Sequence, residues 1–138
     1  MTPILYLIDG HALAYRTYFA LTAAGGGERL STSSGEPTAG IYGFASVLLR
    51  ILEQERPEYL AVAFDTGKTF RDAIFPAYKA TRAKMPDDLS SQIGRIRQMI
   101  DAFHFPRLEV EGVEADDVLG TVAKQAVAKG CGVKIITG

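Results

Sequence analysis

The feature that most constrains this chain is a pair of short, almost unbroken apolar runs, each closed by an aspartate. Residues 4–8 (ILYLI) lead into Asp9-Gly10, and residues 59–64 (YLAVAF) lead into Asp65. Such a run leaves no polar face for water, so as a strand it needs cover on both sides. Parallel sheets meet that need, because the crossover between parallel strands is long enough to carry a helix that packs on the sheet. The intervening sequence supplies such crossovers: apolar periodicity predicts helices over residues 11–21, 38–55, 88–103 and 115–129. The last two open on acids, and the last stops at Gly130, as caps and helix dipoles prefer. A weak third strand is expected over 107–110 and a fourth over 133–137. The expected fold class is α/β, with a mostly parallel central sheet flanked by helices. At 138 residues the chain has the length of one domain with one core.

Two stretches fall outside this alternation. Residues 22–37 (TAAGGGERLSTSSGEP) read as a flexible surface loop, and residues 66–87 (TGKTFRDAIFPAYKATRAKMPD) form a long strandless segment with a basic cluster. The net charge of −1 conceals an uneven distribution. Between residues 68 and 84, Lys68, Arg71, Lys79, Arg82 and Lys84 stand against Asp72 alone, whereas residues 109–117 hold Glu109, Glu111, Glu114, Asp116 and Asp117 with no base. A basic arm beside an acidic focus can hold a polyanion and a divalent cation together, although two solvated faces would carry the same charges. Cys131 is the single cysteine, which excludes an internal disulfide and a thiolate metal cluster. His11 and His104 are too few for a His-rich metal site. No apolar run approaches the ~18 residues of a membrane span, and the N-terminus lacks the basic region of a signal peptide. A cytoplasmic location without a membrane partner is the expectation.

In an open parallel sheet, ligands bind outside the carboxyl ends of the strands, where Asp9 and Asp65 fall. Glu114, Asp116 and Asp117 open the fourth helix and can reach the same edge. On a helical projection, positions 114 and 117 share a face and 116 points elsewhere. Each acid alone reads as a turn or cap residue. Together, five carboxylates at one edge would repel one another unless a cation neutralised them. Oxygen ligands without Cys or His select hard cations such as Mg²⁺ or Mn²⁺, and this many acids suggests two of them.

The arm offers the complementary charge. Lys79 and Arg82 share a face if residues 77–83 are helical, with Tyr78 beside them as a surface on which a base could stack; a solvated helix exterior has the same pattern. Arg16, in the first helix, could also face the crevice. Asp65-Thr66-Gly67-Lys68-Thr69 ends like a phosphate-binding P-loop, but that motif needs a glycine where Val62 stands.

The segments LIDGHALAYRTYFAL (7–21), GEPTAGIYGFASVLL (35–49), AVAFDTGKTFRD (61–72), YKATRAKMPDDL (78–89) and GVEADDVLGTVAKQA (112–126) together resemble the 5′-nuclease domain at the N-terminus of bacterial DNA polymerase I, a family that includes flap endonucleases. The resemblance covers nearly the whole chain in order. It implies a PIN-like fold and a reaction, the Mg²⁺-dependent hydrolysis of DNA phosphodiesters where a single-stranded 5′ flap meets duplex. It implies that Asp9, Asp65, Glu114, Asp116 and Asp117 hold two metal ions. By the same resemblance Arg16, Lys79 and Arg82 engage the scissile phosphate, Arg71 and Tyr78 join them in contacting DNA, and residues 66–87 form an arch for the 5′ strand. The family continues into further metal-binding aspartates and a duplex-gripping helix-hairpin-helix region. Residues 1–138 would then be the N-terminal part of such a domain, covalently followed by polymerase domains, and weak or inactive alone. Two other readings stay open: a PIN-like ribonuclease, marked by preference for unstructured RNA, and a catalytically dead nucleic-acid-binding module, marked by flap binding without cleavage.

Overall fold

A computed structural model describes residues 2–23, 30–66 and 85–137. The chain runs β1 (Ile4–Asp9), α1 (Gly10–Ala23), α2 (Ala39–Gln54), β2 (Tyr59–Ala63), α3 (Asp87–Ala102), β3 (Arg107–Leu108), α4 (Ala115–Ala128) and β4 (Gly132–Ile136). The four strands form one parallel sheet in the order β3-β2-β1-β4, the α/β architecture expected from the apolar runs. Asp9 pairs with Ala63 at the carboxyl edge of the two central strands.

Side-chain alternation along β1 and β2 divides the core. Tyr6, Ile8, Leu60 and Val62 face one layer, where Leu13 and Ala14 of α1, Phe44 and Leu48 of α2, and Ile93, Ile96 and Ile100 of α3 cover them. Leu7, Ala61 and Ala63 face the other, covered by Ala115 and Leu119 of α4. Both faces of β1 and β2 are therefore shielded, which is why neither run tolerates a polar residue until its end. Close approaches tighten the larger layer. A Cβ at Gly10 would lie 2.5 Å from the Phe64 ring, and one at Gly43 would lie 2.6 Å from Thr17 Cβ, so glycine sets the contacts of α1 with the end of β2 and with α2. Gln92, fully buried on α3, accepts from the Ile41 N–H and donates to the Asp88 carbonyl, satisfying an orphan donor in the first turn of α2.

Three details add to or correct the sequence reading. β4 is not covered on both faces: it is an edge among the described strands, with Lys134 exposed and Ile135 48% exposed. β3 is shorter than the 107–110 run, because the chain turns at Gly112 (φ +78°) and leaves Val110 outside the ladder. Of the 22–37 stretch, Thr22 and Ala23 belong to α1 and residues 30–37 form a turn. Ser31 bridges Pro37, Gly35 accepts the left-handed φ of +90°, and Thr32 accepts from the Glu36 N–H. Among the described residues no helix is long and apolar enough to cross a membrane.

Candidate active site

At the carboxyl edge of the sheet, a cleft of about 210 Å³ opens between α1 and the first turn of α4. It is lined by Asp9, His11, Ala12, Tyr15, Asp65, Glu114, Ala115 and Asp116. Four carboxylates from three distant parts of the chain thus meet in one place, and among the described residues no lysine or arginine lines it.

Each acid is placed by backbone geometry. Asp9 ends β1 and caps α1: its Oδ1 accepts from the Ala12 N–H at 3.1 Å. Asp65 lies two residues past β2, and its Oδ1 accepts from the Ala115 N–H at 2.6 Å, so it caps α4 from another segment. Glu114 is buried at the N-cap of α4 in an extended conformation (φ −73°, ψ 153°). Asp116 follows in the first turn, within reach of the Asp9 carboxyl. Both carboxylate-capped helices aim N-terminal dipoles at the cleft, which favours the negative charge gathered there.

Burial holds the Asp9 carboxyl above its ordinary pKa; the Ala12 N–H opposes this, and repulsion from Asp116 and Asp65 together with hydrogen bonding to Asp116 adds to it. A cation bound beside Asp9 would favour its ionised form and oppose this rise. All the carboxylate donors are hard oxygens, the set that suits a divalent cation such as Mg²⁺ or Mn²⁺. Among the described residues, no group of three Asp, Glu, His or Cys side chains surrounds a single point closely enough to hold an ion as it stands. The acids line the cleft rather than close on a centre, as mutually repelling carboxylates do.

The helical projection of the acidic motif needs correction. Glu114 has extended backbone, so the 100° step per residue does not reach it, and Asp116 is the acid of the first turn that joins Glu114 in the cleft. Asp117 is half-buried beside it, engaged in an interaction of its own and not among the lining residues. Glu109 does not belong to an acidic focus at all. It accepts from Arg97 Nε at 2.7 Å and from Arg107, which also bonds Asp101. Arg16 is exposed on α1, one turn beyond Ala12 and next to Tyr15, both of which line the cleft. Arg71, Tyr78, Lys79, Arg82 and most of the 66–87 segment lie outside the described residues.

Two cleft residues escaped sequence reasoning. His11 Nδ1 accepts from the Asp65 N–H at 3.1 Å, and Tyr15 stacks on Phe19 with ring centroids 5.9 Å apart. Burial lowers the His11 pKa, with Asp65 opposing the drop and Arg97 adding to it, so the imidazole is neutral and carries its proton on Nε2. The available signal was position: a polar ring two residues past a strand-ending aspartate sits at the same sheet edge.

Residues 4–138 match the family described as 5′-3′ exonuclease, N-terminal resolvase-like domain. The DNA polymerase I of Chloroflexus aurantiacus is 50% identical over 136 residues, 99% of this chain and 14% of that polymerase, so the chain spans only a small part of the curated relatives it matches. Two solved phage T5 structures share the fold. One is a T5 protein co-crystallised with metal ions (TM-score 0.63, 20% identity, 97% of this chain, 47% of that one). The other is the T5 flap endonuclease in a pseudo-enzyme-product complex with DNA and metal ions (TM-score 0.60, 21% identity, 97% and 48%). With the family match running from the first residue of β1 to residue 138 and half of all positions shared with a DNA polymerase I, the chain belongs to the 5′-3′ exonuclease N-terminal resolvase-like domain family.

Proposed function

We propose that this chain is the N-terminal part of a structure-specific 5′ nuclease that hydrolyses DNA phosphodiesters at single-stranded 5′ flaps, acting within a bacterial, cytoplasmic DNA polymerase I. The observation that carries the reading is the meeting of Asp9, Asp65, Glu114 and Asp116 in one cleft. These acids, with Asp117 behind them, would hold two divalent cations, Mg²⁺ or Mn²⁺. When bound, such ions activate a water and stabilise the charge that develops on the attacking and leaving oxygens. The chain's own part is to bind and orient. Asp65 and Asp9 are fixed by backbone N–H groups, and the two helix N-termini and the neutral His11 add no negative charge against an incoming phosphate. Arg16, Lys79 and Arg82 would draw in the scissile phosphate. Arg71 and Tyr78 would contact DNA along the 66–87 arch. The relatedness to DNA polymerase I and the fold shared with a flap endonuclease solved with DNA and metal ions support this assignment.

Incubation with labelled 5′-flap DNA and Mg²⁺ or Mn²⁺ tests it. Weak cation-dependent cleavage at the flap junction, absent in Asp116→Ala, is the expected result. Flap binding that neither needs the cation nor leads to cleavage would instead support a binding module, and preferential cutting of unstructured RNA would support the ribonuclease reading.

A further inference from the structure

Asp65 is gripped at three points. Its N–H donates to His11 Nδ1 (3.1 Å), its carbonyl accepts from the Arg97 guanidinium (3.2 Å), and its Oδ1 accepts from the Ala115 N–H (2.6 Å). The grips come from α1, α3 and α4, so three helices converge on a residue where the chain has already left the sheet. The gripping side chains are themselves fixed. His11 packs edge-on against Phe64 (5.6 Å, 78°), and Arg97 lies over the same ring at 5.0 Å while Glu109 holds its Nε at 2.7 Å. Phe64 is fully buried and pinned under Gly10, so the whole assembly is referred to the core.

We propose that His11 and Arg97 are positioning residues for Asp65: they clamp its peptide at the N–H and at the carbonyl, and so set the direction in which its carboxylate meets a cation in the cleft. The proposal rests on reading Asp65 as a metal ligand. A ligand must be held within about 0.5 Å and 10–20° to be productive. A single bond from Ala115 to Oδ1 leaves the carboxylate able to swing with the peptide behind it. Clamping both ends of that residue's backbone removes the swing. Neither residue would touch the ion; each acts through Asp65, as outer-shell partners of metal ligands do.

Mn²⁺ titration of the chain, followed by electron paramagnetic resonance, measures the effect without recourse to catalysis, with thermal melts in EDTA reporting folding. His11→Leu, which cannot accept from the Asp65 N–H, is expected to weaken Mn²⁺ binding about tenfold or more, the usual scale for losing an outer-shell partner. His11→Asn, whose amide oxygen can take the place of Nδ1, should restore affinity to within about threefold. Arg97→Lys keeps a charge beside Glu109 but loses the guanidinium group that reaches the Asp65 carbonyl, and should also weaken binding. Asp65→Asn separates the two levels of the argument. If it abolishes binding while folded His11→Leu and Arg97→Lys bind as the parent does, the clamp is wrong and the site stands. If Asp65→Asn binds normally, the metal assignment of Asp65 fails and the clamp falls with it. Equal weakening by His11→Leu and His11→Asn would also overturn the acceptor role. Should His11→Leu not fold, Arg97→Lys decides: parent-like affinity overturns the clamp, and weakened affinity supports it.

Discussion

Two groups of carboxylates in this molecule have different surroundings. Glu109 and Asp101 are met by Arg97 and Arg107, whose guanidinium groups answer them within the protein. Asp9, Asp65, Glu114 and Asp116 line one cleft, where the Ala12 and Ala115 N–H groups answer Asp9 and Asp65 and His11 accepts from the Asp65 N–H. The first group is electrostatically complete as folded and can serve as framework. Among the described residues no lysine or arginine lines the cleft of the second group, which suits it to an added cation on the function proposed above. Proximity in sequence does not separate them, since Glu109 is only five residues from Glu114; the presence of an arginine across the packing interface does.

The largest expected effect comes from adding a cation to the cleft. Mn²⁺ or Mg²⁺ at one hundred times its Kd should stabilise the fold by about 2.7 kcal/mol and raise the Tm by roughly 10 °C, with Asp116→Ala losing most of that shift. Differential scanning calorimetry with and without EDTA checks it, and an unchanged Tm would put the two carboxylate groups on the same footing. Next in size is the reverse operation on the complete group. Arg97→Met strands Glu109 with one partner and uncovers Phe64, and should cost about 2 kcal/mol in urea denaturation in EDTA, with lost cation stabilisation added to that when a cation is present.

Asp9→Asn is expected to act with a smaller magnitude and the opposite sign. Asparagine still accepts from the Ala12 N–H but carries no charge toward Asp116 and Asp65, so the cation-free protein should gain about 0.5–1 kcal/mol, the scale of relieving a like-charge contact. The pH dependence follows from the raised pKa of Asp9. The folded state binds its proton more tightly than the unfolded chain, so the Asp9 penalty is fully present at neutral pH and shrinks as pH falls through the folded pKa toward the unfolded one. The gap between Asp9→Asn and the parent, measured in EDTA, should therefore close between pH 7 and about pH 4. Smallest of all, Arg95→Gln at the exposed Arg95–Glu36 pair should change stability by less than about 0.5 kcal/mol, which calibrates what an ordinary surface ion pair contributes here.

The contrast also explains what was legible in the sequence. Periodicity located β1, β2 and the helices to within a residue or two, because burial on both faces leaves an unbroken apolar run that little else produces. It also put Asp9 and Asp65 at one edge, since a parallel sheet aligns its carboxyl ends. It could not tell Glu109 from Glu114. That distinction depends on Arg97, twelve residues before Glu109 on a packed helix, and on Arg107, two residues before it on the same side of the chain. Asp116 was legible as a candidate ligand but its direction was not, for a different reason: the helix begins one residue later than a uniform projection assumes, and Glu114 is extended. The exposure of β4 likewise depends on which strand ends the described sheet, a matter of neighbours rather than composition.

The bond between Asp65 Oδ1 and the Ala115 N–H joins residues fifty positions apart, and His11 meets Asp65 across fifty-four. Contacts that close loops of this length carry their entropic cost up front and form only when most of the topology is in place. The acidic cleft is thus an end product of folding, and lifting the first turn of α4 from the sheet is enough to dismantle it. The Ala115 amide consequently becomes an internal clock for the site: its rate of hydrogen exchange reads out how often the cleft comes apart, and a cation that binds there should slow it.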